Sequence, residues 1–276
     1  MTLTDGHGDD QRVAVITGGA RGIGAATGLR LARLGWKVAL IDAADGTDAA
    51  GYRLADAGDL DEAVAACRAT CSSPGTAIGL AADVRDQDAL DRAVAEAAER
   101  LGGVDAAVAA AGAIAGGPDT WHTDDAIWDA MIGINLTGVF HLARSVVPHL
   151  LARPEPRSGR FVAVASAASV DGLPRLSAYT AAKAGVAGLV RALAAELGPL
   201  GVTANAVAPG STRTAMLDAS AAVYDLASTD EFVVHQPIGR LLGPEEVAAA
   251  IVWLTSPEAS AVTGAILPVD GGMTAT

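Results

Sequence analysis

The sequence predicts one α/β domain, a doubly wound, seven-stranded parallel sheet sandwiched by helices, and three observations predict it. Short apolar runs alternate with longer helical stretches along the chain, the pattern of a parallel sheet covered on both faces. The first apolar run enters a glycine-rich turn, and the second ends in an acid. Finally, 276 residues, 51% of them hydrophobic, suffice for one large core.

The elements follow in order. Residues 1–11 are polar and acidic, lack the basic and apolar parts of a signal peptide, and are expected to form a disordered tail. The apolar run Val13-Ala-Val-Ile16 leads into Thr17-Gly-Gly-Ala-Arg-Gly-Ile-Gly24, followed by an alanine-rich helix to about Leu34. A second strand, Lys37-Val-Ala-Leu-Ile-Asp42, closes a strand–turn–helix–strand unit. Gly18, Gly22 and Gly24 let the backbone approach a pyrophosphate at a helix N-terminus, where amide groups are unpaired. Asp42 is placed to accept hydrogen bonds from an adenosine ribose, and its charge would repel a 2′-phosphate, so NAD is favoured over NADP. Further strands are expected at 77–82, 104–109, 160–166, 202–207 and 265–269. Helices are expected at 60–69, 86–101, 124–150, 176–197 and 244–255. The segment 211–243 is long for an idle connection and is expected to be a substrate lid.

Within the helix expected at 176–197, Ser177-Ala-Tyr-Thr-Ala-Ala-Lys183 spaces a phenol and an ammonium four residues apart, on one face. A tyrosine pKa near 10 makes a poor base at neutral pH. A close ammonium favours the phenolate, and lowering the phenol by three units takes roughly 4 kcal/mol. The product is a general base for an alcohol proton. Asn135 lies in a helix among Ile132, Ile134, Leu136, Val139 and Phe140, which favours a buried functional amide over a solvated one.

Together these blocks resemble the classical short-chain dehydrogenase/reductase family, with its Rossmann-type fold, from about Arg12 to Gly272. The resemblance assigns the cofactor turn to Gly18, Arg21, Gly22, Ile23 and Gly24, and the adenine-contacting acid to Asp83 in Ala82-Asp-Val84. It also assigns Ala111 and Gly112 to the cofactor, and Pro209, Gly210, Thr212 and Thr214 to the carboxamide-contacting segment. Ser166, at the end of Phe161-Val-Ala-Val-Ala-Ser166, holds the place of the family's active-site serine, and Asn135 that of its helical asparagine. The implied activity is reversible, NAD-dependent oxidation of an alcohol to a carbonyl. In it Tyr179 is the base, Lys183 lowers the tyrosine pKa and holds the nicotinamide ribose, Ser166 binds the substrate oxygen, and Asn135 positions a water. One departure stands out: the family's Asn-Asn-Ala-Gly reads Ala109-Ala-Ala-Gly112, so side-chain hydrogen bonds from the missing amides are lost.

From Asp42 to Asp83 the chain is longer than the roughly 25 residues such a crossover needs. The extra stretch, 43–60, contains Tyr52-Arg-Leu-Ala-Asp-Ala-Gly-Asp-Leu60. It either folds over the adenosine end of the cofactor or forms a tolerated surface excursion, since long loops cost little closure entropy. With Ala113-Ile-Ala-Gly-Gly117, Leu151-Ala-Arg-Pro-Glu-Pro-Arg157 and Pro209-Gly-Ser-Thr-Arg-Thr-Ala-Met-Leu217, it resembles the mycofactocin-associated subgroup. That resemblance implies a non-exchangeable NAD recycled by mycofactocin as external electron acceptor. Two other functions fit the same fold: an ordinary reductase with exchangeable NAD, and a non-catalytic dinucleotide sensor. An intact Ser166, Tyr179 and Lys183 set argues against the sensor.

A net charge of −13 without a basic tract argues against nucleic acid or anionic lipid as partner. No apolar run approaches 18 residues, so no membrane span and a cytoplasmic protein are expected. Cys67 and Cys71 read as thiols, and the five histidines lack metal spacing. Ala181, Ala184, Gly185, Ala187 and Gly188 permit close helix–helix approach, and the resemblance implies a homotetramer.

Overall fold

The computed structural model describes residues 11–46, 51–70 and 76–275. The tail expected over 1–11 lies, except for Gln11, outside the described residues, as do 47–50 of the insertion and Cys71. Seven parallel strands form the expected sheet: β1 Val13–Thr17, β2 Lys37–Asp42, β3 Ala77–Ala81, β4 Ala106–Ala109, β5 Gly159–Val164, β6 Val202–Pro209 and β7 Ile266–Val269. Their order is β3-β2-β1-β4-β5-β6-β7, with Val15 in register with Ala39 on one side and Ala107 on the other.

The apolar runs are continuous because both faces are buried. Val13 and Val15 pack toward α3 (Gln87–Leu101), α5 (Gly138–Leu151) and α6 (Ser177–Leu197). Ala14 and Ile16 pack toward α1 (Gly22–Arg33), α2 (Ala57–Ala69) and α8 (Pro244–Thr255). Strand order reverses between β1 and β4, which opens a crevice at the strand C-termini.

Three local differences from expectation concern the site. The helix α2 begins at Ala57, because Asp56 accepts the Asp59 N–H and Asp59 accepts the Asp56 N–H, each at 3.0 Å. This reciprocal cap makes 57–60 a helical turn, and the excursion proper ends at Asp56, whose backbone bridges to Asp45. The helix expected at 124–150 is broken into α4 (Asp125–Ile132), a π turn (Gly133–Thr137) and α5. Segment 211–243 contains α7 (Ala215–Val223) and a 3₁₀ stretch, Thr229–His235.

Asp125–Leu151 is also long and apolar enough to cross a membrane by length and composition. Half of its apolar window is buried within the protein, with Leu142, Val146 and Leu150 fully enclosed in the core. It is a core helix.

Candidate active site

The crevice holds one cavity of about 680 Å³, running from Asp42 and Asp83 at one end to Tyr224 and Phe232 at the other. Its floor is the β1–α1 turn. Gly18 and Gly22 have φ of +67° and +56°, and a Cβ on Gly24 would lie 2.0 Å from the Gly18 carbonyl oxygen, so only glycine fits. Helix α1 starts without a side-chain cap and without an acid in its first turn, leaving its N-terminal amides for an anion. That cradle fits the pyrophosphate of a dinucleotide.

Asp42 accepts the Ala20 N–H at 3.1 Å. Burial raises its pKa, against the amides of Ala20, Ala44 and Ala43. Burial also opposes ionisation of Asp83, yet Arg85, whose Nε lies 3.1 and 2.9 Å from the two carboxylate oxygens, holds it below the usual value. Val84 lines the cavity, and its carbonyl lies 2.8 Å from His141 Nδ1. Ala109 is buried in the apolar core, where the family's first asparagine would stand, and Ala110 and Ala111 line the groove. Gly112 keeps the groove narrow: a Cβ there would lie 3.0 Å from Asn135 Oδ1. Pro209, Gly210, Thr212 and Thr214 line the cavity beyond β6.

Tyr179 and Lys183 share the buried face of α6, and Ser166 follows β5 at the head of a 3₁₀ turn. Lys183 Nζ donates to the Val164 carbonyl at 2.8 Å and lies 5.7 Å from the Tyr179 ring centre. The sequence argument expected this ammonium to lower the phenol. In the structure burial dominates: Tyr179 is pushed up to about 12, with the Ser166 hydroxyl opposing, and Lys183 down to about 8. The ammonium spends its hydrogen bond on Val164, not on the phenol.

Asn135 is fully buried behind Gly112 and does not line the cavity. Its Nδ2 donates to the Ala113 carbonyl at 2.9 Å and to the Met131 carbonyl at 3.1 Å, while Oδ1 accepts the Ala113 N–H at 3.3 Å. Asn135 itself lies in the π turn, an element common at functional sites.

Met216, Tyr224, Phe232 and His235 come from the segment expected as a lid, whereas Leu173 and Pro174 were not anticipated. Leu173, Pro174, Met216, Tyr224, Phe232 and His235 make an apolar, partly aromatic end. The Tyr224 hydroxyl donates to the Pro174 carbonyl at 2.9 Å, and Arg175 pairs with Asp225 at 3.3 Å, tying α7 to the segment before α6. The signal was the expected lid, but nothing in its sequence pointed to these ties. Tyr52 and Leu54 of the insertion also line the cavity, in one cluster with Ile114 and Tyr179. Arg21 NH2 donates to the Arg53 carbonyl at 3.1 Å, fastening the insertion to the glycine turn.

Residues 18–274 match the family model described as Enoyl-(Acyl carrier protein) reductase. The chain is 40% identical over 265 residues to cis-4-hydroxycyclohexanecarboxylate dehydrogenase of Sinomonas cyclohexanicum, covering 96% of this chain and 97% of that one. It is 37% identical to (−)-trans-carveol dehydrogenase of Rhodococcus erythropolis, covering 95% and 97%. The crystal structure of carveol dehydrogenase from Mycobacterium avium in complex with NAD superposes with a TM-score of 0.89 at 32% identity, covering 96% and 98%.

Proposed function

The chain belongs to the classical short-chain dehydrogenase/reductase family and is an NAD-dependent oxidoreductase of alcohols, and on that premise we propose how its residues divide the work. The carrying observation is that Ser166, Tyr179 and Lys183 open into the same cavity as the glycine cradle. NAD bound along this groove would supply a nicotinamide that accepts the hydride. Tyr179 takes the alcohol proton, Ser166 holds the substrate oxygen, and the Lys183 ammonium stabilises the phenolate and holds the ribose. Asn135, whose side chain is bonded to the Ala113 and Met131 backbone, would position the water that links Lys183 to solvent through the backbone it braces behind Gly112. Gly18, Arg21, Gly22, Ile23 and Gly24 carry the pyrophosphate, Asp42 the ribose, and Asp83 and Val84 the adenine. Ala111, Gly112, Pro209, Gly210, Thr212 and Thr214 complete the groove. The substrate is a small, largely apolar alcohol, supported by the lining of Leu173, Met216 and Phe232 and by the carveol in one relative's name.

The cofactor stays bound under the insertion and is recycled by an external acceptor such as mycofactocin. The tie from Arg21 to the insertion supports this. The ordinary exchangeable-NAD enzyme is the competing reading, supported by the general family match. Mass spectrometry of heat-released cofactor, followed by an alcohol screen with an artificial electron acceptor, separates the two. Release of NAD on dilution, with steady turnover on added NAD, would select the exchangeable enzyme.

Two expectations on cofactor and pH follow. Asp42→Ser removes the charge facing a 2′-phosphate, so NADP affinity rises relative to NAD in a binding titration; tighter NADP binding by the unaltered protein contradicts the assignment. A phenol is protonated at neutral pH, and burial pushes Tyr179 further up, to about 12. Alcohol oxidation, which needs the phenolate, therefore rises with pH, whereas carbonyl reduction, which needs the phenol, falls. Rate profiles in both directions check this, and parallel slopes would refute it.

We also assign a homotetramer. Ala181, Ala184 and Gly188 are exposed on α6, while Ala187 is buried and Gly185 faces Leu136. Exposed Phe140 on α5 and Trp253 on α8 add apolar surface. Light scattering at micromolar concentration should give four chains; a monomer contradicts it.

A further inference from the structure

We propose that Tyr52, carried in by the insertion, is a positioning residue for the reacting tyrosine: its ring shields the Tyr179 end of the cavity from water. The inference rests on the reading of Tyr179 as the reacting phenol. Sequence position alone put the insertion over the adenosine end, beside Asp42. The described part of the excursion instead reaches farther. Its base is pinned by the bridge between Asp45 and Asp56 and by the reciprocal cap of α2. Arg21 fastens the Arg53 carbonyl, and the neighbouring Tyr52 is directed across the groove toward Ile114 beyond β4. There Tyr52 and Leu54 pack in the cluster that contains Ile114, Ala178 and Tyr179.

Two further facts agree with this placement. Tyr52 is itself largely withdrawn from water, which raises its pKa, with the Ile114 amide and Arg21 opposing. A charge on Tyr52 would raise Tyr179 only as the smallest of the influences on it, after burial and the Ser166 hydroxyl, so the ring's exclusion of water is the larger effect. The other groups facing Tyr179 have separate roles. Ser166 hydrogen-bonds the phenol, Lys183 is held by Val164, and Tyr224 and His235 line the cavity from the 215–235 segment. Asp42, Asp45, Asp83 and Arg85 stand at the cofactor end. The insertion thus adds a dry apolar ring to the catalytic end. A phenol in a drier site resists ionisation, so removal of that ring should ease it.

The chain has three tyrosines, so phenolate absorbance can be assigned by substitution. The titration is run on the holoenzyme as purified, with the Tyr179 step identified as the one lost in Tyr179→Phe. Tyr52→Ala should move that step down by about one pH unit, and Tyr52→Phe, which keeps the ring, should leave it near its original place. Tyr52→Leu, a milder change less prone to misfolding, should fall between them. In alcohol oxidation the apparent pKa of kcat/KM should move in parallel. A Tyr179 step unchanged in the folded Ala and Leu variants overturns the proposal, as does a Phe variant that shifts as far as Ala. The absorbance titration needs no turnover, so it decides the role of Tyr52 separately from whether the protein oxidises alcohols.

Discussion

Tyr179→Phe is expected to cut kcat by at least about 10²-fold, the usual scale for a general acid–base group. The change removes one oxygen and leaves the ring, which is buried against Ala178 and Ile114. Packing therefore survives, and the lost barrier stabilisation of about 2.7 kcal/mol belongs to proton transfer. The glycine cradle and Asp42 are untouched, so the variant should still carry NAD. Single-turnover rates and cofactor content measured on one preparation check both halves. Near-normal turnover sinks the assignment of Tyr179. Loss of NAD along with activity would instead mean that the phenol holds the cofactor.

Shortening the excursion should release the cofactor. The change joins residue 45 to residue 55 by a tight turn, keeping Asp42 and the Asp56 cap. It removes Tyr52, Leu54 and the Arg53 carbonyl that Arg21 holds. If closure of this segment is worth about 3 kcal/mol, its removal speeds NAD dissociation by roughly 150-fold. Hydride transfer should persist when NAD is supplied, because Ser166, Lys183 and the cradle lie on other elements. Stopped-flow displacement of NAD measures the rate. Rapid release by the intact protein, at the same rate as the shortened one, would falsify retention by the insertion.

The fold was legible because each strand is a compact apolar run and each crossover a helix, and these are local properties of the sequence. The glycine spacing and the Tyr–Lys pair were legible for the same reason, since both lie within one element. What escaped depended on distant contacts. Asp56 and Asp59 form a cap with two acids, where a serine or threonine is the familiar signal, so α2 was expected three residues late. Tyr52 was visible as part of an insertion, but its destination beside Ile114 depends on a fastening by Arg21 that is remote in sequence. For Tyr179, spacing along a helix reports proximity of Lys183 but not burial, which raises the phenol in this structure. The Lys183 Nζ donates to the Val164 carbonyl, a contact that helix spacing does not reveal. The π turn was invisible, because Gly-Ile-Asn-Leu-Thr is compatible with an ordinary helix.

That π turn makes the register of the chain a functional quantity. Gly138 N–H bonds to the Gly133 carbonyl, five residues back, so the turn holds one residue more than a regular helix would. An extra residue rotates everything after it by about 100° relative to a regular helix. The two flanks duly serve different neighbours: Met131 and Ile134 face the cavity cluster, whereas Leu142, Val146 and Leu150 face the sheet. Deleting one residue between 133 and 137 would give a straighter helix with a regular ladder. It would also swing the α5 stripe away from β4 and β5 and shift Asn135 relative to the Ala113 and Met131 backbone atoms that it bonds. Side-chain replacements can be absorbed one at a time at many positions of such a helix. A change in its length cannot, and this stretch should therefore tolerate substitutions far better than insertions or deletions.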